Sequence, residues 1–196
     1  MNKYIKVNTL FPWKLDELSR RLNYKFIHIT TDCVYNGSRG NYKEDDIHNT
    51  DNVYGITKSL GEPEKATVIR TSIIGEEMYY KSSLLEWVIS NKNKEINGFK
   101  NHYWNGVTCL TLAKIIKDII EKKLFWEGTR HIFTPNSVSK YDLCCLINNV
   151  YELNTKINSV DDNKYKNMTL STSYPSLFKI NNIEIQIKEQ KLFKYI

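Results

Sequence analysis

Hydrophobic positions along the chain follow two periods, one typical of helices and one typical of strands. Apolar residues three and four positions apart predict amphipathic helices, which we expect at 12–23, 82–92 and 110–123. Short apolar runs between polar residues predict buried strands, which we expect at 26–30, 67–72 and 130–133. Because strands and helices alternate, the sequence predicts an α/β fold built on a parallel sheet.

Two further elements are predicted in the last third of the chain. Ser139 is a helix-capping residue, and Asp142 three positions later completes a capping box, so a helix is expected from there to about Tyr151. Near the end, isoleucines alternate with polar residues at 183, 185 and 187. This period of two predicts a half-buried strand.

Composition and charge narrow the function. Of the 196 residues, 41% are apolar, so a packed core is expected and global disorder is not. The formal net charge is +6, but lysines and arginines are scattered along the chain. A nucleic-acid-binding protein gathers basic residues on one face or arm, so this charge favours a solvated surface and no nucleic-acid partner. The positive balance also suits an anionic small molecule.

Cysteines and histidines show no pattern that would bind a metal. The four cysteines, at 33, 109, 144 and 145, lack metal-ligand spacing and are interpreted as free thiols in a reducing compartment. The four histidines form neither HxxxH nor HExxH, so no metal site is predicted. The first residues have no apolar signal-peptide core, and no apolar run reaches roughly 18 residues. We therefore expect a cytoplasmic protein without a membrane span.

The residue pair with the clearest chemical meaning is Tyr54 and Lys58. A helix predicted at 54–61 places these residues, four apart, on one face. An ammonium beside a phenol favours the phenolate, so Lys58 is expected to lower the pKa of Tyr54 and let it exchange a proton with a substrate oxygen. The spacing alone is common by chance. Thr31, however, precedes it at the carboxyl end of a predicted strand, where α/β proteins bind ligands, and its hydroxyl can donate to the same substrate carbonyl.

The segment that carries this pair closely resembles the catalytic stretch of the dTDP-4-dehydrorhamnose reductase family, which are extended short-chain dehydrogenase/reductases. The resemblance rests on FIHITTDCVYNGSRGNYKEDDIHNTDNVYGITKSLGE and covers most of residues 7–150. It implies a partial Rossmann-like, doubly wound parallel sheet with a smaller C-terminal substrate-binding region. It also implies NAD(P)-dependent reduction of a nucleotide-linked 4-keto-6-deoxy sugar, in nucleotide-sugar or polysaccharide biosynthesis.

The resemblance assigns roles to individual residues. Tyr54 matches the catalytic acid, Lys58 the residue that lowers its pKa and holds the cofactor ribose, and Thr31 the donor to the carbonyl. Asp32 matches an acidic neighbour, with a structural turn carboxylate as an equal alternative. Asn8 is weakly similar to an asparagine of the preceding helix. The other matches are Thr30, Arg70, Thr71 and Ser72 for the cofactor, and Tyr103 and Trp104, in a region with Asn101, for the substrate, where ordinary packing is the alternative.

The Gly-rich turn that holds the cofactor pyrophosphate in this family is missing. None of the eight glycines form GxGxxG, and Gly37 and Gly40 lie in a polar loop. By the resemblance, the chain begins in the helix before the fifth strand, which leaves the strand at 26–30 with an unpaired apolar edge. NADPH or NADH is the implied cofactor, but the isolated chain is expected to bind it weakly or not at all. A separate chain with the missing half, a remnant and a truncated gene are the alternatives.

Domain boundaries and function leave further alternatives open. Residues 1–75 are predicted to form the C-terminal part of the nucleotide-binding domain, and residues 76–196 mainly the substrate-binding region, with some strands and helices returning to the first. Besides a reductase, the sequence is compatible with a non-catalytic sugar-nucleotide-binding or regulatory subunit, and with an epimerase or dehydratase. Cys33 occupies the position where the latter carry a further acid–base residue, which favours simple reduction. A homo-oligomer is compatible with each function.

Overall fold

The computed structural model describes residues 2–193; Met1 and residues 194–196 lie outside the described part. The chain begins with a continuous helical segment, which runs as α1 (Asn2–Tyr4), a π-helical stretch (Ile5–Leu10) and α2 (Phe11–Arg21). The later helices are α3 (Val53–Ser59), α4 (Leu84–Ser90), α5 (Cys109–Glu121), α6 (Lys140–Tyr151) and α7 (Ile183–Leu192). The strands are β1 (Ile27–Thr31), β2 (Thr67–Thr71), β3 (Ile73–Ile74), β4 (Glu95–Phe99), β5 (His102–Trp104), β6 (Val107–Thr108), β7 (Gly128–His131), β8 (Val138–Ser139), β9 (Lys156–Val160) and β10 (Lys166–Asn167).

A three-stranded parallel sheet in the order β1-β2-β7 forms the centre of the fold. The register places Ile29 beside Ile69 and Ile69 beside Arg130. All five residues of β2 are buried, because β1 and β7 flank this strand and helices cover the sheet. The mixed α/β architecture with parallel sheets confirms the predicted fold class. None of the helices within residues 2–193 is both long enough and apolar enough to cross a bilayer.

Two apolar clusters make up most of the core. The first packs α5 against the central sheet, through residues such as Ile69, Ile115 and Ile119. The second lies among α4, α6 and α7, with Leu85, Leu143, Ile147 and Ile187 fully buried. The face of α5 matches the predicted helical period, so its amphipathic pattern directs it onto the sheet. Apart from Ile74, the buried members of the second cluster lie beyond residue 75, and the division of the chain at that position stays a prediction.

The C-terminal isoleucines form a helix, so the strand predicted there is wrong. Ile183 and Ile187 are buried and Ile185 is 43% exposed, which fits one helical face because residues four apart align. Asn182 caps α7 by accepting a hydrogen bond from the Ile185 N–H at 3.0 Å. A two-residue alternation over only five positions does not distinguish a strand from a helix. The other predicted elements exist, with ends displaced by about one to three residues.

The edge of the sheet at β1 is open. Within residues 2–193, β1 pairs only with β2, so its other edge has no partner strand in this part of the chain. Large apolar side chains are exposed on the helical segment that precedes β1, including Val7, Phe11 and Leu22, together with Ile29 on the strand itself. An unpaired strand edge beside exposed apolar residues is typical of a surface that another element covers.

Candidate functional site

The end of β1 and the start of α3 are held in close contact. Thr31 ends β1, and Asp32 begins a short 3₁₀ turn at Asp32–Val34. Asn52 caps α3 by accepting a hydrogen bond from the Gly55 N–H at 2.8 Å. A Cβ atom on Gly55 would collide with the carbonyl oxygen of Cys33, so only glycine allows α3 to approach the turn this closely. This contact places Tyr54, in the first turn of α3, next to Thr31.

Three predicted catalytic residues converge at the end of β1. The Tyr54 phenol shares a hydrogen bond with the Thr31 hydroxyl. The Lys58 ammonium donates to the Ile29 carbonyl at 3.2 Å. The Thr31 hydroxyl also accepts from the Cys33 N–H at 3.1 Å, which orients its oxygen. A hydroxyl, a phenol and an ammonium therefore lie near the carboxyl end of β1, and the surface formed by Thr31, Tyr54 and Lys58 is termed the crevice.

The predicted direction of the Tyr54 pKa is wrong. Burial raises the pKa of Tyr54 above its ordinary value, the nearby Cys33 adds to this, and the hydrogen bond with Thr31 opposes it. Lys58 does not counteract burial, because its ammonium is directed to the Ile29 carbonyl. Burial in turn lowers the pKa of Lys58, and Glu62 opposes this shift. Tyr54 is therefore a protonated phenol at neutral pH, the form that donates a proton.

Asp32 is buried directly behind the crevice. Burial raises the pKa of its carboxyl group, while hydrogen bonds from Thr31, Cys33 and Ser72 and the charge of Lys140 oppose the rise. The Thr31 hydroxyl donates a hydrogen bond to the Asp32 carboxyl oxygen at 3.2 Å, which links the two side chains. Ser72, a predicted cofactor residue, thus lies next to the 3₁₀ turn that begins at Asp32.

The other predicted cofactor residues lie inside the protein. Thr71 is buried and donates its hydroxyl to the Ile132 carbonyl at 2.6 Å. Thr30 is buried, and its hydroxyl oxygen has no hydrogen-bond partner among the described residues. Arg70 is only 2% exposed. The side chains of Arg70 and Thr71 form hydrogen bonds within the protein, so neither offers a free polar group to a cofactor.

Arg70 is the centre of a buried polar network. Its guanidinium forms a two-pronged ion pair with Glu62, at 3.1 and 2.5 Å. It also donates to the Tyr35 hydroxyl at 2.6 Å and to ring nitrogens of His48 and His131, each at 2.8 Å. The network joins the loop after β1, the end of α3 and strands β2 and β7. Sequence patterns miss it because its members are far apart along the chain.

The stability of the chain is expected to fall as the pH falls from about 6.5 to about 4, because His131 is held neutral. Its Nδ1 donates to the Ser171 carbonyl at 2.7 Å and its Nε2 accepts from Arg70. Burial, then the charge of Arg70, lower the pKa of His131 to about 4, while Glu44 and Glu62 oppose this. Between the two pH values only the unfolded chain takes up the proton, which costs stability on the order of 3 kcal/mol. Above this window both states are neutral.

Urea unfolding at pH 7.5 and at pH 4.5 measures this loss. His131→Gln should show a smaller loss between the two pH values than the unsubstituted chain, whereas His102→Gln, which alters a contact with Asp162 outside the Arg70 network, should show an unchanged one. Equal losses in all three proteins would mean that His131 does not titrate in this range. His28, whose pKa burial lowers to about 4, and His48, whose pKa burial also lowers, contribute to the part of the loss that His131→Gln retains.

A cavity of about 390 Å³ adjoins the crevice on the side of the 3₁₀ turn. Tyr103 and Trp104, both predicted to contact substrate, line it, although Trp104 is also part of the core. Lys140 and Lys166 line it as well, and neither was predicted as a site residue. Two predicted neighbours lie elsewhere. Asn8 donates to the Thr57 hydroxyl at 3.1 Å on α3, and Asn101 bonds the backbone of Asp162.

The residues present fit one end of a nicotinamide cofactor. Tyr54 and Lys58 offer a hydroxyl and an ammonium that suit a ribose beside the crevice. Within residues 2–193, no Gly-rich turn joins a parallel strand to a helix N-terminus. Gly37 and Gly40 have positive φ angles, but Cβ atoms there would meet side chains of the 166–168 segment, so this loop packs against protein. In the same described part, no group of His, Cys, Asp or Glu side chains is arranged to hold a metal ion.

Comparison with known proteins places this chain within a family. The family described as "RmlD substrate binding domain" matches residues 1–190. A dTDP-4-dehydrorhamnose reductase from Aggregatibacter actinomycetemcomitans is 31% identical over 147 residues, which are 68% of this chain and 49% of that protein. The methionine adenosyltransferase 2 subunit beta of Bos taurus is 27% identical over 142 residues, which are 65% of this chain and 42% of that protein. The chain thus spans about half the length of these curated relatives.

The fold agrees with these matches. The crystal structure of a dTDP-4-dehydrorhamnose reductase from Bacillus anthracis in complex with NADP gives a TM-score of 0.78 at 19% identity, over 94% of this chain and 71% of that chain. At this identity the likeness concerns the fold alone. The family match covers nearly the whole chain, and its description agrees with the resemblance drawn from the catalytic stretch. The chain therefore belongs to the RmlD substrate-binding-domain family, as its similarity to dTDP-4-dehydrorhamnose reductases predicted.

Proposed function

We propose that this chain carries the catalytic and sugar-binding part of an NAD(P)-dependent reductase of a nucleotide-linked 4-keto-6-deoxy sugar. The observation that carries the proposal is the convergence of Thr31, Tyr54 and Lys58 at the end of β1. The 31%-identical relative is a dTDP-4-dehydrorhamnose reductase, which favours this substrate class. The product would serve nucleotide-sugar and polysaccharide biosynthesis in the cytoplasm.

Each residue has a defined task in this reaction. The Thr31 hydroxyl donates a hydrogen bond to the substrate carbonyl, and Tyr54 transfers its phenolic proton to the developing alkoxide. Lys58 binds the ribose of the cofactor. Because its ammonium is held against the Ile29 carbonyl of β1, it can orient that ribose. When bound, NADPH or NADH supplies the hydride. In the structure the Thr31 hydroxyl donates to the Asp32 carboxyl oxygen at 3.2 Å, so it must exchange this acceptor for the substrate carbonyl when the substrate binds.

The remaining half of the nucleotide-binding domain must come from elsewhere in the complete enzyme. The open edge of β1 and the exposed apolar residues of the preceding helical segment offer a surface on which its strands can continue the sheet. We propose that a separate chain or another part of a longer chain supplies this half, with its Gly-rich turn and cofactor phosphate site. The substrate region would then remain with residues 76–196.

A regulatory subunit is the second candidate. The match to a methionine adenosyltransferase subunit favours a non-catalytic use of the same fold, as does the lack of a Gly-rich phosphate turn in residues 2–193. An epimerase or dehydratase is the third, and Cys33 beside Asp32 disfavours it because a thiol with a raised pKa is a poor acid–base group at neutral pH. The intact Tyr54, Lys58 and Thr31 favour the reductase.

Cofactor binding and turnover test the proposal together. We expect isothermal titration of the isolated chain with NADPH to show millimolar or weaker binding, because backbone amides for the pyrophosphate are lacking. The chain fused behind the Gly-rich half of the Aggregatibacter reductase should bind NADPH in the micromolar range. With dTDP-4-dehydrorhamnose, the substrate named for that relative, this fusion should oxidise NADPH, as followed at 340 nm.

Two outcomes would contradict the proposal. Micromolar NADPH binding by the isolated, monodisperse chain would show that no further phosphate site is needed. A fusion that binds NADPH but does not oxidise it with any nucleotide-linked 4-keto sugar would favour the regulatory candidate. A fusion that cannot bind NADPH is first checked by size-exclusion chromatography, and the upstream reading frame then replaces the borrowed half.

A further inference from the structure

The cavity beside the crevice contains two cationic side chains. Lys140 is the first residue of α6, and Lys166 lies on β10 across the cavity from it. The two lysines are near enough for each to influence the charge of the other. The 3₁₀ turn with Asp32 and Cys33 lines the same cavity as the two lysines. This turn directly follows Thr31, so the cavity lies next to the proposed catalytic residues.

Lys140 has an unusual environment for a lysine. Its side chain is largely buried, and among the described residues it forms neither a hydrogen bond nor an ion pair. Burial therefore lowers its pKa, which the neighbouring Asp32 opposes. Most other lysines with a nearby charge on this protein form ion pairs with exposed carboxylates, namely Lys65, Lys100, Lys114, Lys122, Lys156 and Lys188. A largely buried ammonium without a partner costs stability, which an anionic ligand would offset.

Within residues 2–193, Lys140 has no acidic side chain bonded to it in the cavity. Asp32 is the one carboxylate among the residues that line it, and this group accepts the hydrogen bond of the Thr31 hydroxyl, while Lys166 is exposed to solvent. His102 also lines the cavity, and its ring is already paired with Asp162 at 3.0 Å. The cavity thus has two cationic side chains, one carboxylate and an apolar wall that includes Trp104.

We propose that Lys140 and Lys166 bind the diphosphate of a nucleotide-linked substrate and thereby anchor it beside Tyr54. The assignment rests on the proposed function and extends it to the residues that recognise the anionic part of the substrate. An ammonium is a strong donor to phosphate oxygens, and two of them can engage two phosphate groups. Burial of Lys140 makes the site selective for charge, because a neutral ligand leaves this ammonium unpaired.

Isothermal titration of the full 196-residue chain with dTDP and with UDP tests the assignment without a cofactor. Lys140→Met and Lys166→Met should each weaken nucleoside diphosphate binding about ten- to hundredfold, the loss expected for one charge-assisted hydrogen bond. Lys117→Met changes the net charge equally on the exposed face of α5 and should leave the affinity within about twofold. Lys140→Arg should retain most of the affinity, since it retains the charge.

Three competing ligands separate the sources of the interaction. Inorganic diphosphate should compete with dTDP, whereas thymidine and glucuronate should not. Competition by glucuronate alone would assign the lysines to a sugar carboxylate and overturn the proposal. So would dTDP affinity that is undetectable in the unsubstituted chain, or that is unchanged in both Met variants.

The same lysine variants distinguish a loss of diphosphate binding from a loss of folding or of reductase activity. In thermal unfolding, the melting temperature of each Met variant should be close to that of the parent chain. If Lys140→Met does not fold, the Lys166→Met variant still tests the proposal, because Lys166 is exposed. Reductase turnover is not needed for these titrations. A fusion without activity would thus contradict the proposed function while lysine-dependent dTDP binding stands, and the reverse result would overturn only the lysine assignment.

Discussion

We expect Arg70→Met to destabilise the chain by about 3–5 kcal/mol, a large part of the stability of a domain of this size. The substitution keeps the side-chain volume but removes the guanidinium that pairs with Glu62, whose side chain is 7% exposed. It also leaves the Tyr35 hydroxyl and the ring nitrogens of His48 and His131 without their donor. Urea unfolding at pH 7.5 measures the change in free energy.

A surface pair and a double variant provide the controls for this prediction. Arg39→Met breaks an exposed ion pair with Asp46 and should cost less than about 1 kcal/mol. Arg70→Met combined with Glu62→Met should recover part of the loss, because no unpaired buried charge remains. A cost below about 1 kcal/mol for Arg70→Met, together with weaker NADPH binding in the fusion, would instead favour the cofactor contact that the sequence predicted.

The second large effect concerns turnover. Tyr54→Phe in the NADPH-binding fusion should lower kcat by about 10²–10⁴-fold, the usual contribution of a positioned general acid. The substitution removes only the phenolic oxygen, which shares a hydrogen bond with Thr31 and would donate the proton in the proposed reaction. NADPH affinity should change by less than about threefold, since Lys58 and the Gly-rich half remain. The kcat from NADPH oxidation and the Kd from titration separate the two effects.

Tyr79→Phe is the matched control for this substitution. Tyr79 is 79% exposed and lies outside the crevice, so the kcat of the Tyr79→Phe fusion should equal that of the parent fusion. Retention of more than a tenth of the activity by Tyr54→Phe would show that another group or water supplies the proton. Because burial raises the pKa of Tyr54, the activity of the parent fusion should also persist through neutral pH instead of falling above it.

Local patterns were sufficient for most secondary structure. The amphipathic face of α5 and the capping box of Ser139 and Asp142 depend on residues within four positions of each other, and both are confirmed. The prediction failed at α7, where buried Ile183 and Ile187 satisfy both periods over a short stretch. There the cap at Asn182 and packing against α5 and α6 decide the conformation.

The candidate site divides in the same way. Sequence alone predicted the fold class and the family, both of which are confirmed. The catalytic roles of Thr31, Tyr54 and Lys58 follow from the resemblance of a whole segment to that family, and they stay a prediction. Only the tertiary structure decided that Arg70 is buried in an ion pair with Glu62, that burial raises the pKa of Tyr54 and that Lys140 lines the cavity beside the 3₁₀ turn. Burial and charge neighbours depend on segments distant along the chain, so no local pattern specifies them.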